Sequence, residues 1–188
     1  MKGYKNTIIL IAPMSMHSLV LVCGCAGSGK SVTSREIVRA VPNTVYIDKD
    51  IIQDQFTLDR DSDEYFAIRT PTYEAMYALA EANLSLGKSV ILDAPHMKQM
   101  RDGQWRRRML SLAERTGSKL KAVLCTASES EIKRRLRERG LQRDLMNLSN
   151  WECFVKEECG PVDIPFEHIT FDTEGGGITQ VIDFVRER

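Results

Sequence analysis

The chain has 188 residues, 43% of them hydrophobic and 28% charged, with 26 basic residues balanced by 26 acidic ones. That length suits one domain with a sizeable core better than two, and the composition excludes a disordered chain. The neutral total gives no general attraction to nucleic acid, although a local patch can still supply one.

Residues 1–17 read as an N-terminal extension. Lys2 and Lys5 precede the short apolar run Thr7 to Ala12, a faint imitation of a signal peptide without a clean cleavage site. The first strand-like run begins only at Leu19, which leaves Met14 or Met16 as alternative starts. No segment approaches the ~18 apolar residues of a membrane-spanning helix, so no membrane partner is expected.

Residues 18–188 alternate short apolar runs with longer amphipathic segments, the pattern of parallel β-α units. Leu19 to Cys23 reads as a buried strand. A glycine-rich turn follows, then a helix from Lys30 to about Ala40, which Pro42 and Asn43 break. Thr44 to Ile47 is the second strand and ends in Asp48-Lys49-Asp50. A long helix is expected with Thr70 as its cap and Pro71 at its first position. Tyr73, Met76, Tyr77 and Ala80 recur at helical spacing and read as core, and Gly87 marks the stop.

Ser89 to Leu92 is the third strand, ending in Asp93. Lys98 to Arg115 reads as one helix, and Lys119 to Cys125 as the fourth strand. Ser128 caps a very basic helix that runs to Arg139, with Glu131 three residues on. Gly140 to Gly160 is a polar excursion with a short helix around residues 150–158. His168 to Phe171 is the fifth strand, and Gly175 to Gly177 lead into a closing helix from Ile178 to Arg186. Cys23, Cys25, Cys125, Cys153 and Cys159 show no C-x-x-C spacing, and an odd number argues against a full disulfide framework. A reduced, cytoplasmic compartment is the simpler expectation. His17, His96 and His168 are scattered and suggest no zinc site.

The chemistry concentrates in Gly24-Cys25-Ala26-Gly27-Ser28-Gly29-Lys30-Ser31, which matches G-x-x-x-x-G-K-[ST] at every fixed position. Successive backbone N–H groups at a helix N-terminus form a nest for phosphate. Lys30 brings a cation to the β- and γ-phosphates of ATP, and the Ser31 hydroxyl is the expected Mg²⁺ ligand. The readable strand before the motif and helix after it supply the context that the motif needs. Asp93 would lie at the carboxyl edge of a parallel sheet beside the first strand, where ligands bind, and could hold Mg²⁺ through water. Asp48 and Asp50 would face the same crevice, where either carboxylate could orient an acceptor hydroxyl and take its proton. Lys49 between them is expected to face solvent or steer phosphate.

Lys133, Arg134, Arg135, Arg137, Arg139 and Arg143 crowd the segment before and into the polar excursion. Arg135 and Arg139 share a helical face. Together with the excursion, about residues 137–160, this reads as a lid that closes an arginine against the transferring phosphoryl group.

With these residues in place, the chain resembles the P-loop kinase family. That group includes gluconate kinases, zeta toxins, chloramphenicol phosphotransferase and the kinase domain of phage-type 5′-hydroxyl polynucleotide kinases. The resemblance covers roughly Leu19 to Arg188, and the polynucleotide kinases look most similar. Their G-x-P-G-S-G-K-S corresponds to Gly24 to Ser31, and their N-R-D-D-Y-R to Asp48 through Gln53. Their strand ending in aspartate corresponds to Asp93, and their K-R-x-x-x-R-G to Arg134 through Gly140.

The resemblance implies a P-loop NTPase α/β fold. This is a three-layer α/β/α sandwich with a five-stranded parallel sheet and a small helical lid. It also implies that Asp50 is the catalytic base, that Arg139 contacts the ATP phosphates from the lid, and that Arg135 supports it. The catalytic set is then Lys30, Asp50, Arg135 and Arg139. ATP is held by Gly24 to Ser31 with Arg139, and the metal by Ser31 and Asp93. Gln53 departs from the pattern, because polynucleotide kinases have there an arginine that holds the nucleic-acid phosphate. Arg60, Arg69 or the Arg106-Arg107-Arg108 cluster are the candidates to replace it. The acceptor expected first is the 5′-hydroxyl end of a nucleic acid, favoured by the basic lid and the Arg106 cluster; the alternative is a small molecule such as a metabolite or antibiotic, favoured by the neutral charge and Gln53. A nucleotide switch that hydrolyses ATP without an acceptor is the reading from another class.

Overall fold

The computed structural model of the chain describes residues 17–56, 59 and 62–187. Residues 1–16 of the N-terminal extension, with Met14 and Met16, and the candidate Arg60 lie outside the described residues.

Strand β1 (Ser18–Cys23) is buried along its whole length, which is why its sequence is a continuous apolar run rather than an alternating one. It lies at the centre of a five-stranded parallel sheet with β2 (Thr44–Asp48), β3 (Ser89–Asp93), β4 (Lys119–Thr126) and β5 (Glu167–Asp172) in the order β2-β3-β1-β4-β5. The chain leaves β1 for β2 and β3 on one side, then crosses to β4 and β5 on the other. The carboxyl end of β1 is therefore a topological switch point, where a crevice opens.

Alternate residues of β1 feed two cores. Leu19, Leu21 and Cys23 pack with Met76, Tyr77, Ala80 and Leu84 of α4 (Arg69–Leu84) and with Met109 and Leu112 of α5 (Gly103–Thr116). Val20 and Val22 pack on the opposite face with Ile37 of α1 (Lys30–Ala40) and with Val181 and Val185 of α9 (Ile178–Arg186). The result is the three-layer α/β/α sandwich expected from the sequence, with Tyr73, Met76, Tyr77 and Ala80 all in the core.

Three features differ from the reading of the sequence. Thr70 does not cap α4. Ser62 caps a short preceding helix, α3 (Asp63–Ala67), and Ile68 in helical conformation joins it directly to α4. Thr70 and Pro71 then sit inside the first turn, where a missing N–H has no intrahelical partner to lose. The segment from Lys98 to Arg115 is not one helix. A 3₁₀ turn (Gln99–Arg101) stops at Asp102, whose carboxylate accepts the Gln104 N–H at 2.8 Å and starts α5. A further short helix, α2 (Lys49–Gln53), follows β2 at once because the Asp48 carboxylate caps it.

The basic helix α6 (Glu129–Arg139) is capped by Ser128 as expected. The excursion after it carries α7 (Gln142–Ser149), α8 (Trp151–Phe154) and a π turn (Val155–Cys159). Only the second part of this was expected from the sequence. Phe154, Ile132 and Leu136 cluster with Cys25 of the glycine-rich turn, so the excursion is fastened to that turn by a small apolar core of its own.

Lys121 of β4 is fully buried, and its ammonium donates to the Phe184 and Glu187 carbonyls at the end of α9 (2.5 and 3.0 Å). Lys121→Met keeps most of the stem packing and leaves those carbonyls unpaired. The expected cost is about 1–3 kcal/mol, with faster hydrogen exchange in the last turn of α9. An unchanged denaturation midpoint would show that the ammonium is dispensable.

Candidate active site

The glycine-rich turn is shaped by its protein neighbours. Gly24 has φ +137°, and a Cβ there would lie 2.4 Å from the Cys125 carbonyl oxygen and 2.5 Å from Ser28 Oγ. No other residue type fits both the backbone and the space. Gly29, at φ +92°, starts α1 without a capping side chain, so first-turn amides stay available to an anion. Arg135 braces the turn from outside. It donates to the Gly27 carbonyl (3.1 Å) and to Thr173 Oγ1 (2.8 Å), and Thr173 Oγ1 in turn donates to the Ser28 carbonyl (3.0 Å). Lys30 Nζ donates to the Cys25 carbonyl at 2.8 Å, which keeps its ammonium at the loop.

Two of the cavities around this turn meet at Lys30, Ser31 and Arg139. One of about 200 Å³ is lined by Gly27, Gly29, Lys30, Ser31, Arg135 and Arg139. The other, of about 320 Å³, runs from Lys30 and Ser31 past Asp48, Asp50 and Asp93 to Arg69, Arg139 and Arg143. Arg139 lines both, at the boundary between them. Its guanidinium is held by Asp144 of α7, Nε donating to Oδ2 at 2.6 Å, and Asp144 itself is fully buried.

Asp48 and Asp93 are register partners at the ends of β2 and β3. The Tyr46 hydroxyl lies 2.7 Å from Asp48 Oδ2 and 2.8 Å from Asp93 Oδ2. One hydroxyl carries one proton, so the carboxylates share it. Burial pushes the Asp93 carboxyl up from its ordinary range, and Asp48 adds to that shift. Lys30 and hydrogen bonds from Ser31 and Tyr46 oppose it. Ser31 and Asp93 thus meet as hydroxyl and carboxylate, oxygen ligands suited to a hard cation. Among the described residues no three His, Cys, Asp or Glu side chains converge on a metal site. The pair therefore fits an Mg²⁺ held mainly by nucleotide phosphates and water rather than by a protein cage.

Asp50 lies in the first turn of α2, on the other side of the larger cavity. Its backbone N–H donates to the Asp48 cap at 2.8 Å. Its carboxylate meets Lys49 Nζ at 2.6 Å and the Arg143 guanidinium at 3.0 Å. Burial works against the charged form, but Lys49 and Arg143 outweigh it and hold the carboxyl well below its usual range.

Of the two expectations for Lys49, the solvent-facing one is corrected, although Lys49 does line the larger cavity. Lys49 is buried and also donates to Gln53 Oε1 at 2.8 Å. Gln53 is fully buried too and donates from Nε2 to the Tyr65 carbonyl at 2.7 Å. It ties α2 to α3 and has no side chain to offer a ligand. Of the arginines considered in its place, Arg69 lines the larger cavity. Arg108 is a bidentate partner of Glu74 and stacks over Tyr77, and Arg106 lies near Asp163.

Tyr46, Arg143 and Asp144 were missed as site residues. Tyr46 could have been found, because it lies two residues before Asp48 on the same strand face. Arg143 and Asp144 depend on how α7 returns over the sheet, which no local pattern announces. The expected consequence for Asp50 is specific. Arg143→Ala should raise its pKa toward the ordinary carboxylate range, read by carbon-13 carboxyl titration. An unmoved titration would show that Arg143 does not act on Asp50.

The model of a family described as an AAA domain matches residues 19–153. No curated protein sequence matches the chain. Among solved structures, the chain is similar to a kinase candidate from Chloroflexus aurantiacus J-10-fl. That match has 18% identity and a TM-score of 0.70, covering 91% of this chain and 97% of the other. It is similar to a sugar kinase from Janibacter sp., at 18% identity and a TM-score of 0.59, covering 89% and 91%. It is also similar to the APS kinase CysC of Mycobacterium tuberculosis, solved with AMPPNP and APS. There the identity is 17% and the TM-score 0.58, covering 92% and 99%. At these identities the likeness shows a shared fold.

Proposed function

The chain belongs to the AAA domain family, and from that premise we propose that it is an ATP-dependent kinase that phosphorylates a hydroxyl group on a small acceptor. One observation carries this reading. A single cavity joins Lys30, Ser31 and Asp93 on the phosphate side to Asp50, Arg69 and Arg143 on the other. A hydrolytic switch has no need of a second, lidded compartment with its own carboxylate.

In this mechanism the amides of Gly24 to Ser31 hold the triphosphate, and Lys30 neutralises its terminal phosphates. Ser31 and Asp93 would hold Mg²⁺, which would spread the charge of the phosphate oxygens. Asp50 accepts the acceptor O–H as a hydrogen bond and takes the proton as the new O–P bond forms and ADP leaves. A strongly acidic carboxyl is a weak base, so Asp50 orients the acceptor first and takes the proton late in the transfer. A loose phosphoryl-transfer transition state needs little prior deprotonation of the nucleophile. Arg139, at the boundary of the two cavities, faces the phosphoryl group in transit, and Arg135 keeps the cradle in shape for it.

The commitment of Gln53 and Arg108 to internal bonds favours a small acceptor. The second reading, a polynucleotide 5′-hydroxyl end, is supported by Arg69 and Arg143, which could hold its phosphates.

Two variants separate binding from transfer. Asp50→Asn should keep ATP affinity in calorimetry while transfer falls by about 10²–10⁴-fold. Full turnover in Asp50→Asn would remove that carboxylate from the mechanism. Lys30→Ala should weaken ATP binding strongly, and equal affinity would contradict the cradle. A steep loss of activity between low and moderate salt would favour the polynucleotide acceptor, and a flat response the small one.

A further inference from the structure

The cysteines are not equivalent. Cys23 faces the α4 side of the sheet, donates to the Val123 carbonyl at 3.4 Å, and is pushed up to about 12 by burial. Cys125 faces the opposite core and is pushed up to about 11 by burial. Cys153 is exposed on α8. Cys25 and Cys159 belong together. They pack in the same small cluster under the lid, and both line a cavity of about 230 Å³ between the phosphate loop and Gly160-Pro161. The two side chains are close enough for each thiol to shift the acidity of the other. That contact spans two functional elements, because Cys25 is the second residue of the phosphate loop and Cys159 is the last of the lid's π turn.

We propose that Cys25 and Cys159 are a redox pair that closes to a disulfide under peroxide and clamps the lid to the phosphate loop. The polarity of the pair sets the order of events. The neighbouring Cys159 lowers the Cys25 thiol, with help from Lys30, while Cys25 and burial raise Cys159. Cys25 therefore attacks first. Its thiolate displaces hydroxide from hydrogen peroxide and becomes a sulfenic acid. The Cys159 sulfur then attacks the Cys25 sulfur, the S–S bond forms, and water leaves with the thiol proton. Two thiols and one peroxide give one disulfide and two waters, and a dithiol reductant reverses the step by exchange. Gly160 and Pro161 follow Cys159 directly, so the cross-link fixes the far hinge of the lid. It also fixes the residue whose carbonyl holds Lys30.

The test needs neither nucleotide nor acceptor, so it stands or falls apart from the kinase reading. The full reduced chain is treated with hydrogen peroxide and mapped by mass spectrometry without reduction, with hydrogen exchange followed across residues 140–160. The expected products are a Cys25–Cys159 linked peptide, slower exchange in the lid, and a thermal midpoint raised by about 5 °C or more. All should revert with dithiothreitol. Cys159→Ser should stop at a Cys25 sulfenic acid trapped by dimedone, with no gain in midpoint. Cys153→Ser should behave like the parent chain. A Cys25 oxidised without linkage to Cys159 would overturn the proposal, and so would a linkage that leaves lid exchange unchanged.

Discussion

The left-handed turn at Gly24 is the constraint on which the site depends. β1 is the central strand, and its chain must leave the sheet between β3 and β4 without striking either. The Gly24 N–H meets the Pro95 carbonyl on one side, while the Cys125 carbonyl closes the space where a Cβ would stand. Only from that turn can Gly29 launch α1 with its amides aimed at the crevice. The apolar faces of α1 and β1 hold this geometry rigid, so the anion nest is built before any ligand arrives.

Around the nest, charge is arranged by element. Carboxylates come from the strand ends and the turn after β2, as Asp48, Asp93 and Asp50. Cations come from α6 and α7. Arg135, Arg139 and Arg143 are spaced four apart, and each has a different partner. Arg135 holds the Gly27 carbonyl, Arg139 holds Asp144, and Arg143 holds Asp50. Two of these contacts are ion pairs. Arg143–Asp50 is partly open to water, where such a pair is individually weak, while Arg139–Asp144 has its carboxylate fully buried.

The sheet was legible because buried parallel strands leave continuous apolar runs, as in Leu19 to Cys23 and Val90 to Leu92. The phosphate loop was legible because its backbone demands glycine at fixed spacing. α2, α3 and α7 were not, because each is short and depends on a tertiary partner. Asp48 must cap α2, Gln53 must reach Tyr65, and Asp144 must meet Arg139. Lys49 was misread for the same reason: a lysine between two aspartates looks solvated until the fold buries it against Gln53. The cavity beneath the lid, and with it Arg143, exists only once α7 returns over the sheet.

Phosphoryl transfer itself is tested most directly with ATP labelled on its γ-phosphate, in the presence of Mg²⁺. 5′-Hydroxyl oligonucleotides would compete there with sugars, nucleosides and aminoglycoside-like alcohols. The account predicts label on an acceptor hydroxyl, with a small molecule preferred. Label released only as inorganic phosphate, whatever acceptor is offered, would contradict it.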